Sequence, residues 1–245
     1  MLRILTLYCT FLFSFSLYAD TLSEANKAYD AGSYQEAVKN YEDLVRQGYT
    51  DNGPLYYNLG NAYFRSGEKG KAMAAYLAAR SLIPRDPDLK ANLKFVHEQT
   101  VDKLSISSTG SFVKDLSFWI DMGTAKEFIF IASFIMSICL CLLFISLLMN
   151  TPLIRVWSYI FGVLAFFAYL AAASSFYYRE NWGAVSIGRS DIRSGPGELN
   201  TVVFQLHEGA PFILDAKEDS WYKIRLSDQK IGWVSAKDVT IFPHF

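Results

Sequence analysis

The sequence predicts a multidomain chain: all-α helical hairpins in the first hundred residues, a two-helix transmembrane hairpin in the middle and a small all-β barrel at the end. Three observations carry this. A ladder of small and aromatic residues recurs at an offset of 35 positions between Ala25 and Tyr76. Two long apolar runs are separated only by Asn150 to Arg155. From Gly183 onward, short alternating runs are punctuated by turn residues. The 245 residues carry 23 Lys and Arg against 24 Asp and Glu, and no basic face accumulates, so nucleic acid is not an expected partner.

Residues 1–19 begin Met1-Leu2-Arg3, continue through an apolar core to Tyr18 and end on Ala19 before Asp20, the form of a secretory signal. Cleavage is expected after Ala19, with an uncleaved anchor the alternative because Leu17 is larger than a signal site favours. Tyr8 precedes Cys9 where a lipoprotein would need a small residue, so lipidation is not expected. The remaining cysteines, Cys139 and Cys141, are two apart on a helix and point to different faces, which excludes a mutual bridge or a metal pair. The segments read as soluble therefore hold no cysteine and must rest on their own cores.

Residues 20–99 hold the helical ladder. Leu55-Tyr56-Tyr57-Asn58-Leu59-Gly60-Asn61-Ala62-Tyr63 is followed by Gly67, Ala72, Tyr76, Ala79 and Pro84. Gly60 and Ala72 are small where two helices cross; Tyr56, Leu59, Tyr63 and Tyr76 fill the space around the crossing; Pro84 stops the second helix. These intervals form a tetratricopeptide repeat. Ala25, Gly32, Ala37 and Tyr41 are the upstream counterparts of Gly60, Gly67, Ala72 and Tyr76. The usual period is ~34, so one extra residue is expected in the turn around Gly48 to Asn52. Asp86-Pro87-Asp88 opens a further helix through Glu98, whose stripe of Leu89, Leu93 and Val96 predicts a capping helix. Asn26, Tyr29, Tyr57, Asn61, Phe64 and Arg65 are expected to line the inner groove. Asn26 and Asn61 sit at equivalent positions, where an amide can pair with an extended peptide or simply face solvent. The cluster is too poor in Lys and Arg for a carboxylate clamp.

Residues 100–124 are serine-rich and read as a linker, with Phe112, Val113, Leu116, Phe118, Trp119 and Ile120 suited to a short interfacial segment. Residues 125–149 and 156–178 are then two spans, each exceeding the ~20 residues a bilayer core requires. Thr124-Ala125-Lys126-Glu127 has the form of a capping box, and Thr151-Pro152 offers a cap followed by a proline. Arg3 and Arg155 set the orientation: the first hundred residues outside, the 150–155 loop in the cytoplasm, the C-terminal module outside. Trp119, Tyr177, Tyr178 and Trp182 are expected in the outer interfacial belt. No charged residue lies deep in either span, so an anchor is expected rather than an ion pathway.

Residues 183–245 form the last module. Arg193-Ser194-Gly195-Pro196, the strand Trp221-Tyr222-Lys223-Ile224-Arg225 and the return Gly232-Trp233-Val234 resemble a bacterial SH3-like domain. Alternation makes Tyr222, Ile224 and Leu226 core, with Val203, Ile213 and Val234, and leaves Arg193, Trp221 and Trp233 as the ligand-surface residues. His97, His207 and His244 are isolated, so no metal is expected.

The order signal, short repeat array, two-span hairpin and SH3-like domain, with Tyr56 to Tyr63, Ala78-Ala79-Arg80 and the Pro84 to Asn92 continuation, resembles the BatE family of bacterial aerotolerance (Bat) operons. The resemblance covers the whole chain. It implies a scaffold in the bacterial inner membrane with both soluble modules on the periplasmic side, and a role in aerotolerance or stress response. The implied partners are Bat-type membrane proteins with von Willebrand factor A domains and, indirectly, a MoxR-type ATPase. The alternative is a wall-tethered sensor whose SH3-like domain binds peptidoglycan. The family supplies no catalytic residues. The soluble segments contain no cysteine nucleophile, no Gly-x-Ser-x-Gly and no carboxylate–histidine cluster, so neither an enzyme nor a cofactor is expected.

Overall fold

A computed structural model describes residues 21–106, 124–177 and 180–242. The chain divides into two compact units, one joining the N-terminal helices to the C-terminal sheet and the other holding the two long apolar helices. The signal segment, the Phe112 to Ile120 stretch, Trp119 and Tyr178 lie outside the described residues.

Among the described residues the first unit holds five helices: α1 (21–30), α2 (Tyr34–Arg46), α3 (Gly53–Arg65), α4 (Lys69–Leu82) and α5 (Pro87–Glu98). The two hairpins end their first helices alike. Gly32 and Gly67 take φ of +78° and +88°, so each chain turns through a left-handed residue that only glycine adopts without cost. Ser33 and Glu68 then donate back to the carbonyls of Ala28 and Tyr63. Asn52 and Asp86 accept from the amides of Leu55 and Leu89, capping α3 and α5. At the crossing, a Cβ on Gly60 would lie 2.6 Å from the Tyr76 ring, and Ala72 is fully buried.

Helix α4 is buried along its whole middle, from Ala72 to Ala79. An ordinary surface helix buries one stripe; burial all round requires a neighbour on each side. One neighbour is α3. The others are α5 and the sheet. Trp182, Ala184, Ile213 and Phe242 join the helical core, and Tyr56 meets the Phe242 ring at 5.3 Å. The Glu208 carboxylate accepts from the Gly70 amide at 3.1 Å, serving an N-terminus that α4's own cap residue, Glu68, leaves without a side-chain bond. Gly70 has to be glycine, because a Cβ there would run into the backbone of Val185. Trp182, expected in an interfacial belt, is instead 7% exposed beneath the Arg80 guanidinium, 5.0 Å from its ring centroid. Its apolar area is satisfied by protein, at a gain of about 1.5–3 kcal/mol for a large buried side chain.

Residues 100–106 strap helices to sheet. Thr100 is buried; Asp102 accepts from the His207 amide at 2.6 Å; Leu104 packs on the sheet's core and Ile106 on the helical core. Arg80 donates to the Ile106 carbonyl at 2.8 Å.

Seven antiparallel strands follow: β1 (Trp182–Val185), β2 (Arg189–Arg193), β3 (Val202–His207), β4 (Pro211–Glu218), β5 (Trp221–Arg225), β6 (Ile231–Ser235) and β7 (Val239–Ile241). Their order is β3-β2-β6-β5-β4-β1-β7, around a core that includes Ile192, Phe212, Ile224 and Val234. Ile224 and Leu226 are buried as alternation requires, and Tyr222 packs against the same core. Val203 is not: it is 54% exposed. The β2–β3 register jumps from Ile192↔Phe204 to Arg193↔Val202, so Val203 is the extra residue of a bulge, and Phe204 and Leu206 take the inward positions.

The second unit is an antiparallel pair, α6 (Ala125–Met149) and α7 (Pro152–Tyr177). Thr124 and Glu127 make the reciprocal capping box. Asn150 closes α6 in the left-handed conformation. Thr151 does not cap α7 with its side chain; its hydroxyl is buried without a partner, and its backbone carbonyl accepts from Arg155. The helices meet through small residues, with Ala132, Ala165 and Ala172 buried and the Cys139 thiol donating to the Ser158 carbonyl. Outside that seam the large apolar side chains face outward, Phe130 at 74% and Leu153 at 70% exposure. Both helices are long and apolar enough to cross a membrane, and neither is buried as a soluble core helix would be.

Candidate functional site

The inner face of the repeats holds two side-chain amides whose orientation is fixed. The Tyr41 hydroxyl donates to Asn26 Oδ1 at 2.7 Å, and the Tyr76 hydroxyl donates to Asn61 Oδ1 at 2.6 Å. The two bonds are the same interaction one repeat apart. Asn92 of α5 adds a third amide, donating to Asn61 Oδ1 at 2.9 Å and to the Tyr57 hydroxyl at 3.1 Å. With its oxygen occupied, each of Asn26 and Asn61 keeps its Nδ2 donors for another acceptor. Burial, above all, raises the Tyr76 phenol far above its usual pKa and pushes Tyr41 up to about 12, so both stay protonated donors across the physiological range.

Aromatic and cationic groups flank the amides. Tyr57 packs 6.1 Å from Tyr76. Tyr29 meets Tyr34 edge-on at 5.4 Å, and Arg65 lies 4.9 Å over the Tyr34 ring while donating to its hydroxyl at 2.5 Å. Partial burial raises the Tyr29 phenol, opposed by the Arg65 charge. Phe64 meets Phe95 at 5.6 Å, and Phe95 is 54% exposed. All six groove residues expected from the sequence therefore sit in contacts that join α1, α3 and their neighbours. Tyr34, Asn92 and Phe95 join these contacts in addition to the residues the sequence pattern predicts. Asn92 follows Asn61 by 31 residues, close to one period, and that spacing was the available signal.

The barrel has its own recess. Strand β2 pairs with β6 only at Arg193↔Trp233. Toward Arg189 and Ser235 the ladder lapses, opening a cavity of about 430 Å³. Arg193 and Trp221 both line it, as do Arg189, Ser235 and Lys237. Trp233 lies on the same outer face, opposite Arg193 and Lys223, and is not part of the lining. Arg193 is already engaged, donating to the Asn200 carbonyl at 2.7 Å and to Glu198 at 3.4 Å. Among the described residues no group of three or more His, Cys, Asp or Glu is placed to hold a metal.

Two known modules match the two ends of this unit. Residues 53–86 match the tetratricopeptide repeat and residues 188–240 the bacterial SH3 domain. The chain is also 31% identical over 84 residues to the photosystem I assembly protein Ycf3 of Synechococcus sp. (strain WH7803), and 27% identical over 78 residues to that of Prochlorococcus marinus (strain MIT 9211). These stretches cover about a third of this chain (34% and 31%) and just under half of each relative (46% and 45%). The protein thus combines a tetratricopeptide repeat, a bacterial SH3 domain and two apolar helices.

Proposed function

We propose that this protein is a non-enzymatic scaffold of the bacterial inner membrane, anchored by α6 and α7, that presents its repeat groove and SH3 domain in the periplasm as a member of the BatE family. Its partners on this reading are Bat-type membrane proteins with von Willebrand factor A domains, linked through them to a MoxR-type ATPase. The observation that carries the binding role is the pair of asparagines whose oxygens are held by Tyr41 and Tyr76 and whose Nδ2 donors have no partner among the described residues. An extended peptide supplies carbonyl acceptors and apolar side chains at such a surface. The outward-facing apolar surface of α6 and α7 supports the anchor. Partial likeness to a protein named for photosystem I assembly is consistent with a scaffold.

Asn61→Asp is the discriminating variant. It keeps an oxygen to accept from Tyr76 and Asn92 and replaces the Nδ2 donor with an acceptor. Co-purification of a Bat-type partner in mild detergent is expected with the native chain and sharply reduced with the variant, at matched folding.

A second reading, a wall-binding sensor, is favoured by the Trp221-walled cavity of the barrel. Retention of the detergent-solubilised chain on purified sacculi, lost in Trp221→Ala, supports it.

A further inference from the structure

We infer that the barrel cavity is a site for the free carboxylate end of a short peptide, with Arg189 as its anchor. The inference rests on the SH3 domain being a binding module and is independent of the repeat groove. Three carboxylates line the cavity, and each is spoken for. Asp191 accepts from Gln205 at 2.8 Å and Asp238 from the Ser190 hydroxyl at 2.7 Å. Glu198 pairs with Arg193 at 3.4 Å and Lys237 at 3.9 Å. Arg189, projecting from the exposed end of β2, has no hydrogen-bond or ion-pair partner among the described residues. The Ser235 hydroxyl and the Trp221 ring, cross-strand neighbours on the same wall, are likewise uncommitted there.

An unpaired guanidinium beside a hydroxyl and an aromatic face selects an anion with an apolar body. The guanidinium fork matches a carboxylate bidentately. A phosphate dianion fits less well, because the three lining carboxylates repel the second charge. A side chain next to the terminal carboxylate can pack on Trp221 at little entropic cost. The lapse of the β2–β6 ladder below Arg193 supplies the room.

The test is calorimetric titration of the full chain in detergent with acetyl-trialanine, its carboxamide and inorganic phosphate. The free acid is expected to bind at least tenfold more tightly than the amide and than phosphate. Arg189→Gln is expected to abolish the preference for acid over amide with an unchanged melting temperature, and Arg189→Lys to restore part of it. Equal binding of acid and amide, tighter binding of phosphate, no binding of the acid, or an undiminished preference in Arg189→Gln overturns the site. Muropeptides from digested wall form the last arm. Tighter binding than acetyl-trialanine assigns the carboxylate to a wall peptide, weaker binding to a protein chain end, and either supports the site. Partner recovery through Asn61 is untouched by all of these results, so the two proposals fail separately.

Discussion

At the scale of the residue, the repeat module depends on a few contacts with little slack. Gly60→Leu places a side chain where the Tyr76 ring already lies, and Tyr76 is 2% exposed with nowhere to retreat. The expected loss is at least ~1–3 kcal/mol, read as a lower melting temperature of the soluble unit. Asn61→Ala is expected to be destabilising too, by about 1–3 kcal/mol, because it strands the buried Tyr76 hydroxyl; Asn61→Asp is expected to spare the fold. The phenols also give a pH signature. Burial raises Tyr41 and Tyr56 to about 12, against 10.0 when exposed. A folded pKa above the unfolded one contributes stability that is complete below pH 10 and lost as the pH climbs toward 12. Denaturant titrations at pH 9 and pH 11.5 should show a clear drop in the midpoint, and an unchanged midpoint would contradict this assignment. The groove ladder was legible in sequence because Asn26 and Asn61 share a register. The fixing of their amides was not, since it depends on hydroxyls 15 residues away on the paired helix.

At the scale of the element, the two faces of β5 have opposite roles. Ile224 is fully buried, and Ile224→Ala is expected to cost ~2–5 kcal/mol as a cavity in a small core. Trp221 lines the outer cavity, so Trp221→Ala should leave the melting temperature nearly unchanged. A greater loss in Trp221→Ala would reverse the faces. Alternation predicted this strand correctly and failed at Val203, because a one-residue bulge inverts inward and outward beyond it and leaves no compositional mark. The capping box of α6 was readable from Thr124 and Glu127 alone, since both partners lie within one helical turn.

At the scale of the whole molecule, the largest departure from the sequence reading is the joining of repeats and barrel. Gly70, Tyr56 and Arg80 look like ordinary helix residues, and their partners Val185, Phe242 and Trp182 lie more than a hundred positions away. No local pattern links them. Gly70→Ala is expected to undock the barrel, because the added methyl meets backbone rather than a yielding side chain. Limited proteolysis should then cut the strap of residues 100–106 faster than in the native chain, and an unchanged cleavage rate would contradict the packing described. The span topology has its own test. A reporter active only outside the cytoplasm should work when fused after Glu98 or Phe245 and be silent within Asn150 to Arg155.

The measurement that bears most directly on the scaffold role is quantitative co-purification of Bat-type partners from membranes in mild detergent, with the native chain and Asn61→Asp compared at equal melting temperature. The predicted result is recovery of a protein with a von Willebrand factor A domain by the native chain and at least tenfold less by the variant. Recovery of no such partner, or equal recovery by both chains, would contradict it.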